Sequence, residues 1–121
     1  MSKILIIEDE KQQRIILREF LVKQNLSVLE ASNGIEGLNV ALISRPDVIL
    51  LDIRMPRMDG MTTMHKLRQD EWGKNVPIII LTNYDASDAQ IYQISIDQPS
   101  FFLLKSNSSL EFIFEKISEV C

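Results

Sequence analysis

The sequence predicts an α/β protein built on a doubly wound parallel sheet. Short apolar runs alternate with stretches in which apolar residues recur at helical spacing, and this alternation gives five βα units. Three of the apolar runs have no polar alternation, which is typical of strands covered on both faces. Right-handed crossovers place helices on both sides of such a sheet, so we expect three layers. The 121 residues fit one domain over residues 1–121.

The predicted elements follow one another in strict order along the chain. The strands are KILII (3–7), SVLEA (27–31), DVILLD (47–52), PIIILT (77–82) and SFFLL (100–104). The helices are predicted over residues 11–24, 34–45, 60–70, 85–95 and 108–121. The last has the most regular apolar stripe, and Ser108 with Glu111 fits a capping box at its start. The stretch 85–95 has no strong apolar stripe, so we expect its helix to pack loosely or to present a partly apolar face.

The composition excludes several classes of protein. A net charge of −4 gives no basic surface, so we expect no direct binding to nucleic acid. No apolar run approaches the ~20 residues of a membrane span, and the first residues do not form a signal peptide, so we expect no membrane association. The one cysteine, Cys121, excludes an internal disulfide and favours a cytoplasmic protein.

Polar side chains stand at the ends of four predicted strands. Glu8 and Asp9 follow the first strand, Asp52 ends the third, Thr82 ends the fourth, and Lys105 follows the fifth. Taken singly, each has an ordinary interpretation as a helix cap, a turn former or a solvated surface residue. The carboxyl ends of parallel strands meet at one edge, where doubly wound sheets have their functional cleft. We therefore expect these five side chains to lie together.

The chemistry of that group points to phosphoryl transfer. Three carboxylates at one edge repel one another by up to ~4 kcal/mol per pair at an effective dielectric near 20, unless a cation joins them. Oxygen ligands with room for water suit Mg²⁺, and a carboxylate can attack phosphorus to form an aspartyl-phosphate. We predict that Asp52 is the nucleophile and that Glu8 and Asp9 hold Mg²⁺. Lys105 and Thr82 would hold the phosphoryl oxygens, whose charge must be neutralised.

Over its whole length the chain resembles the receiver domain of two-component response regulators. The resemblance rests on the acidic pair Glu8-Asp9, on LLDIRMPRMDG around Asp52, on PIIILTN through Thr82 and on FFLLK ending at Lys105. It implies a flavodoxin-like fold with strand order 2-1-3-4-5. It also implies a signalling switch, not a conventional enzyme, that takes phosphate from a histidine kinase or a phosphotransfer protein. In such a domain the carboxylate of Asp52 and the backbone carbonyl at position 54 complete the metal site.

The resemblance further implies how the signal is read out. Thr82 would move toward the phosphoryl group, and Phe102 would turn inward. This movement would change the face made by the fourth predicted helix, the fifth strand and the fifth predicted helix. A downstream protein or a second receiver would bind there. Alternatively, Phe102 is an ordinary core residue on an edge strand.

Several positions depart from the receiver pattern. Ser106 replaces the proline usual after Lys105, so we expect either a trans bond with a reshaped loop or a strained cis bond. Asn83 replaces a small residue, and with Arg54 and Tyr84 it would frame the entrance to the site. The segment before the fifth strand, ISIDQPS, contains no glycine, so we expect a rebuilt surface there.

Two other functions remain open from the sequence. A haloacid-dehalogenase-type phosphatase would need a second aspartate at position 54, where Arg54 stands. A degenerate receiver would bind partners without phosphorylation, although all five chemical positions are filled. The last apolar stripe runs to the terminus, which favours a stand-alone receiver, and one domain of a longer regulator remains the alternative. The cognate kinase, the stimulus and the output have no signature in the sequence.

Overall fold

The computed structural model describes residues 2–53, 55, 57–83 and 95–121. Their strands form one parallel sheet in the order β2-β1-β3-β4-β5, which confirms the predicted doubly wound fold and its strand order. The strands are β1 (Lys3–Ile7), β2 (Ser27–Ala31), β3 (Val48–Leu51), β4 (Ile78–Thr82) and β5 (Phe101–Leu104). All five lie within the predicted runs.

Four helices of the described chain pack on this sheet. They are α1 (Lys11–Lys23), α2 (Gly34–Ser44), α3 (Gly60–Arg68) and the C-terminal helix (Leu110–Val120). Most of the helix predicted over 85–95 lies outside the described residues. None of the helices in the described ranges has the length and apolar character needed to cross a membrane.

The start of the C-terminal helix corrects one prediction. The N-cap is Ser109, whose hydroxyl accepts a hydrogen bond from the backbone N–H of Phe112. The capping box predicted at Ser108 and Glu111 is therefore wrong: the N-cap lies one residue later, and Phe112 stands at the third helical position, where a capping box needs Glu or Gln. The backbone at Ser108 still belongs to the turn that follows β5, so the helix begins one position later.

The strands of the sheet are buried from both sides. All four residues of β3 are buried, and they alternate between two apolar clusters. Ile49 and Leu51 pack in the cluster that includes residues of α2 and α3, and Val48 and Leu50 pack in the cluster with α1 and the C-terminal helix. The central strand is therefore a rigid base for the residue that follows it, because tightly packed interiors resist displacement.

Arg68 organises the glycine-free segment before β5. Its guanidinium donates to the carbonyl oxygens of Gly73 and Val76 at 2.7 Å, and of Asp97 and Gln98 at 2.7 and 3.1 Å. Gln98 has a left-handed backbone (φ 51°), the conformation that glycine usually supplies. The arginine thus joins the end of α3 to the segments that precede β4 and β5, and it compensates for the missing glycine.

Replacing Arg68 by alanine should lower the free energy of unfolding by about 3 kcal/mol, because four carbonyls lose a charged donor. Urea denaturation measures this loss. The control is Arg18→Ala: Arg18 is 38% exposed and pairs with Glu30 at the surface, so we expect a change below about 1 kcal/mol. A loss for Arg68→Ala as small as that of the control would contradict this role.

Candidate functional site

Three carboxylates meet at the carboxyl edge of the sheet. Ile7 of β1 and Leu51 of β3 are register partners, so the residues that follow them, Glu8 and Asp52, lie side by side. Carboxylate oxygens of Glu8, Asp9 and Asp52 lie within 4.8 Å of one another. Glu8 is 3% and Asp52 7% exposed, whereas Asp9 is exposed. The trio therefore has a buried side within the fold and an open side toward solvent.

The ammonium of Lys105 reaches this acidic trio from the end of β5, the edge strand of the sheet. Lys105 lies in a 3₁₀ turn, Lys105–Asn107, that directly follows β5. Its Nζ donates to the Glu8 carboxylate and to the side-chain oxygen of Gln13, and it lies 3.4 Å from Asp52 Oδ2. The lysine side chain is 16% exposed, so solvent screens these charges only in part. Lys105 therefore offsets part of the repulsion within the trio.

Glu8 has the most perturbed environment among the described acids of the site. Burial raises the pKa of Glu8 to about 7 and outweighs the lowering by hydrogen bonds from Lys105 and the Glu10 backbone N–H. The negative charge of Asp52 raises the pKa further. Near neutral pH, Glu8 therefore exchanges between a carboxylic acid and a carboxylate. A bound divalent cation would favour the carboxylate.

The trio opens into a polar pocket of about 240 Å³. Its lining consists of Glu8, Asp9, Glu10, Gln13, Asp52, Thr82, Asn83 and Lys105. Thr82, the last residue of β4, is 1% exposed, and its position on the pocket wall follows from the pairing of β3 with β4.

Gly60 fixes the path of the chain just after Asp52. Its backbone N–H donates to the carbonyl of Ile53 at 2.8 Å. A Cβ at position 60 would collide with the backbone carbonyl of Asp52. Because glycine alone permits this approach, the first turn of α3 packs directly against the segment that carries the central carboxylate.

Most of the residues that the sequence nominated lie at this pocket. Glu8, Asp9, Asp52, Thr82 and Lys105 come together as expected, and Asn83 lines the pocket beside them. Phe102 is not among the lining residues; it is 38% exposed on β5. Arg54 and Tyr84 lie outside the described residues, so the predicted carbonyl ligand and two predicted entrance positions are not placed.

The bond after Lys105 decides between the two expected loop geometries. No peptide bond of the described ranges is cis, so Lys105 and Ser106 are joined by a trans bond. The alternative of a strained cis bond is wrong. The chain instead tightens into the 3₁₀ turn, which still directs the lysine into the pocket.

Two lining residues were missed in the sequence, Glu10 and Gln13. Gln13 donates from Nε2 to Glu10 Oε2 at 2.9 Å and accepts from Lys105. The available signal was position: both residues stand at or near the first turn of α1, directly after the acidic pair. A helix start beside a strand end brings such side chains to the same edge of the sheet.

The donor set of the trio fits Mg²⁺. Three carboxylates offer hard oxygen ligands, and the exposure of Asp9 leaves space for coordinated water. No histidine or thiolate belongs to the group, which makes zinc or copper a poor match. The residues present therefore suit the cation that the sequence nominated.

Comparisons of the sequence and of the fold with known proteins agree on one family. The family model of the response regulator receiver domain matches residues 4–112. Sporulation initiation phosphotransferase F of Bacillus subtilis is 35% identical over 87 residues, 72% of this chain and 68% of that protein. Response regulator MprA of Mycobacterium sp. (strain KMS) is 35% identical over 89 residues, 74% of this chain but 38% of that longer protein. Response regulator TrrA of Thermotoga maritima, solved with Mg²⁺-BeF, has a TM-score of 0.87 at 27% identity over 100% of both chains.

The affinity for Mg²⁺ should fall about tenfold between pH 8 and pH 6, because Glu8 with a pKa of about 7 gains a proton over this range. Isothermal titration calorimetry measures the affinity.

In the metal-free protein the raised pKa of Glu8 also makes stability depend on pH. Stability then falls as pH rises, whereas the affinity for Mg²⁺ increases. The folded state binds an extra proton between pH 4.5 and about 7, so the contribution of Glu8 to stability falls as pH rises through that window.

The matched variant is Glu8→Gln, which keeps the shape of the side chain and cannot titrate. We expect it to bind Mg²⁺ more weakly at pH 8 and with a much flatter pH dependence than the wild type. An equally steep dependence in Glu8→Gln would show that another group controls the affinity.

Proposed function

This chain belongs to the response regulator receiver family, and on that premise we propose that it is a phosphorylation-controlled switch whose acceptor is Asp52. Receiver domains act in two-component signalling as switches and not as conventional enzymes, and the family binds Mg²⁺ at an acidic pocket. One observation carries the assignment of the acceptor. Asp52 is the carboxylate at the end of the central strand, 7% exposed, beside both other acids and 3.4 Å from Lys105 Nζ.

The proposed reaction is a direct transfer to the Asp52 carboxylate. An Asp52 oxygen attacks the phosphorus of a phosphohistidine, the O–P bond forms as the P–N bond breaks, and the imidazole leaves and takes up a proton. The rigid position of Asp52 at the end of β3 supports its role as the nucleophile, since a nucleophile must keep its orientation toward the donor. Glu8, Asp9, Asp52 and the backbone carbonyl of Arg54 would hold Mg²⁺, which would supply positive charge beside the phosphoryl oxygens.

Two further side chains would bind the remaining phosphoryl oxygens. The Lys105 ammonium pairs with one oxygen, and its reach into the pocket from the turn after β5 supports this role. The Thr82 hydroxyl donates to another from the end of β4, where it lines the same pocket. Both groups act by stabilising charge that grows during the transfer, which is the larger part of catalysis in phosphoryl transfer.

The proposed partners act before and after this step. A sensor histidine kinase or a phosphotransfer protein supplies the phosphoryl group. A downstream protein or a second receiver binds the face that includes β5 and the C-terminal helix, together with the segment 85–95. Phe102 on β5 and Phe112 on the C-terminal helix are both exposed, which supports an interaction role, because aromatic residues are frequent in protein interfaces. We propose that residues 1–121 act as a single receiver domain.

The alternative functions have less support. A degenerate receiver would retain the fold without the chemistry, but the acidic trio, Thr82 and Lys105 all line one pocket. A phosphatase of the haloacid-dehalogenase type would need a carboxylic acid at position 54, which is an arginine. The set of side chains at the pocket therefore favours a phosphoacceptor over both.

Incubation with acetyl phosphate and Mg²⁺ should add one phosphoryl group to the protein, because the pocket supplies nucleophile, cation site and ammonium. Intact-mass spectrometry measures the gain, and Asp52→Ala should abolish it. The matched control is Asp47→Ala, an exposed aspartate at the other end of the same strand, which should be phosphorylated normally. A gain that persists in Asp52→Ala, or no gain in the wild type with Mg²⁺, would overturn the proposal.

Binding of beryllofluoride with Mg²⁺ should bury Phe102, because the inward rotation of this ring is the proposed readout. Fluorine NMR of fluorophenylalanine-labelled protein, with a soluble paramagnetic quencher, reports the exposure of each ring. Phe102 is 38% exposed, and the half-buried Phe20 on α1, outside the face that is proposed to change, is the internal reference. We expect protection of Phe102 alone, and none in Asp52→Ala. Equal quenching of Phe102 before and after binding would argue against this readout.

A further inference from the structure

Gln13 makes a contact with the lysine of the site that the proposed reaction does not use. Lys105 Nζ donates to the side-chain oxygen of Gln13 as well as to Glu8, while Asp52 lies 3.4 Å away. The lysine therefore contacts Glu8, Gln13 and the proposed phosphoacceptor at the same time. An ammonium has three N–H donors, and Glu8, Gln13 and Asp52 already accept from Lys105. A phosphoryl oxygen that binds the ammonium must therefore compete with these acceptors.

The structure holds the Gln13 amide in the orientation that accepts from the lysine. Its Nε2 donates to Glu10 Oε2 at 2.9 Å, which directs Oε1 to the other side, toward Lys105. Gln13 lies in the first turn of α1, and the helix fixes its backbone. The amide thus offers the lysine a neutral acceptor and adds no charge to a pocket that already holds three carboxylates.

Gln13 also lies where it can release the lysine without disturbing the core. Its side chain is half-buried and borders both the acidic pocket and a neighbouring groove of about 360 Å³ between α1 and the C-terminal helix. An open groove allows the amide to rotate away when the lysine moves. Glu8, at 3% exposure, has no comparable freedom. Of Glu8 and Gln13, the two acceptors of the lysine besides Asp52, Gln13 is therefore the adjustable one.

We propose that Gln13 is a positioning residue that competes with the phosphoryl group for the Lys105 ammonium and so lowers the affinity of the site for that group. This inference rests on the proposed function, since it assumes that Lys105 pairs with a phosphoryl oxygen at Asp52. Gln13 touches neither the acceptor oxygen nor the donor in this scheme. It acts through the lysine alone, by stabilising the resting position of the ammonium.

The test compares the affinity of the full chain for beryllofluoride, with Mg²⁺, among variants of Gln13. Gln13→Met keeps the length of the side chain and removes the acceptor, so beryllofluoride should bind about three- to tenfold more tightly. Gln13→Glu restores a stronger acceptor and should weaken binding below the wild type. A role in packing alone would weaken binding in both variants, so the opposite signs identify positioning.

Two controls isolate the contact with the lysine. Gln12 is the exposed neighbour on α1, and Gln12→Met and Gln12→Glu should leave the affinity unchanged. In a Lys105→Met background, Gln13→Met should no longer tighten binding. A second readout needs no phosphoryl group: the nitrogen NMR signal of Lys105 Nζ in the metal-free protein should shift in Gln13→Met and not in Gln12→Met.

The outcomes separate this inference from the proposed function. A wild type that fails to bind beryllofluoride with Mg²⁺ overturns the proposed function and this inference with it. A wild type that binds, with Gln13→Met binding equally or more weakly, overturns the role of Gln13 alone. An unshifted Lys105 Nζ signal in Gln13→Met would likewise show that the contact does not hold the lysine.

Discussion

The structure depends on one electrostatic constraint, the confinement of three carboxylates within 4.8 Å at the carboxyl edge of the sheet. At that separation each pair of charges repels by about 3–4 kcal/mol at an effective dielectric of 20. The ammonium of Lys105 offsets part of this repulsion through Glu8 and Asp52. Burial adds to the constraint and raises the pKa of Glu8 to about 7. A chain selected for stability alone would not gather these charges, so their grouping is best understood as a site for a cation and an anion that binds it.

The rest of the fold holds the carboxylates against their repulsion. β1 and β3 are adjacent, in register and buried, so Glu8 and Asp52 cannot separate without disrupting the core. Gly60 brings the first turn of α3 against the Asp52 carbonyl. At the opposite end of the strands, Arg68 donates hydrogen bonds to the segment before β5, and β5 leads into Lys105. The packing of the whole domain thus stabilises the group of three carboxylates, which would repel one another and separate without it.

Sequence patterns predicted the described strands and helices, and the meeting of five polar side chains at one edge, because both follow from periodicity and strand topology. Four of the five apolar runs end beside the polar residues of the site, and parallel strands place those residues on one edge. The contacts of Gln13 and Arg68 had no such signal. Each depends on the rotation of a helix and the reach of a long side chain, and the acceptors of Arg68 are backbone carbonyls distant along the chain. The cap at Ser109 was missed because two adjacent serines fit almost equally well before a helix start.

The most direct measurement is the free energy of unfolding of the wild type and Asp52→Asn, each with and without Mg²⁺, at about pH 8, above the pKa of Glu8. If the carboxylates repel one another as described, Asp52→Asn should be the more stable protein without metal. It should also lose most of the stabilisation that Mg²⁺ gives the wild type. A less stable Asp52→Asn without metal, or an undiminished gain from Mg²⁺, would contradict the account.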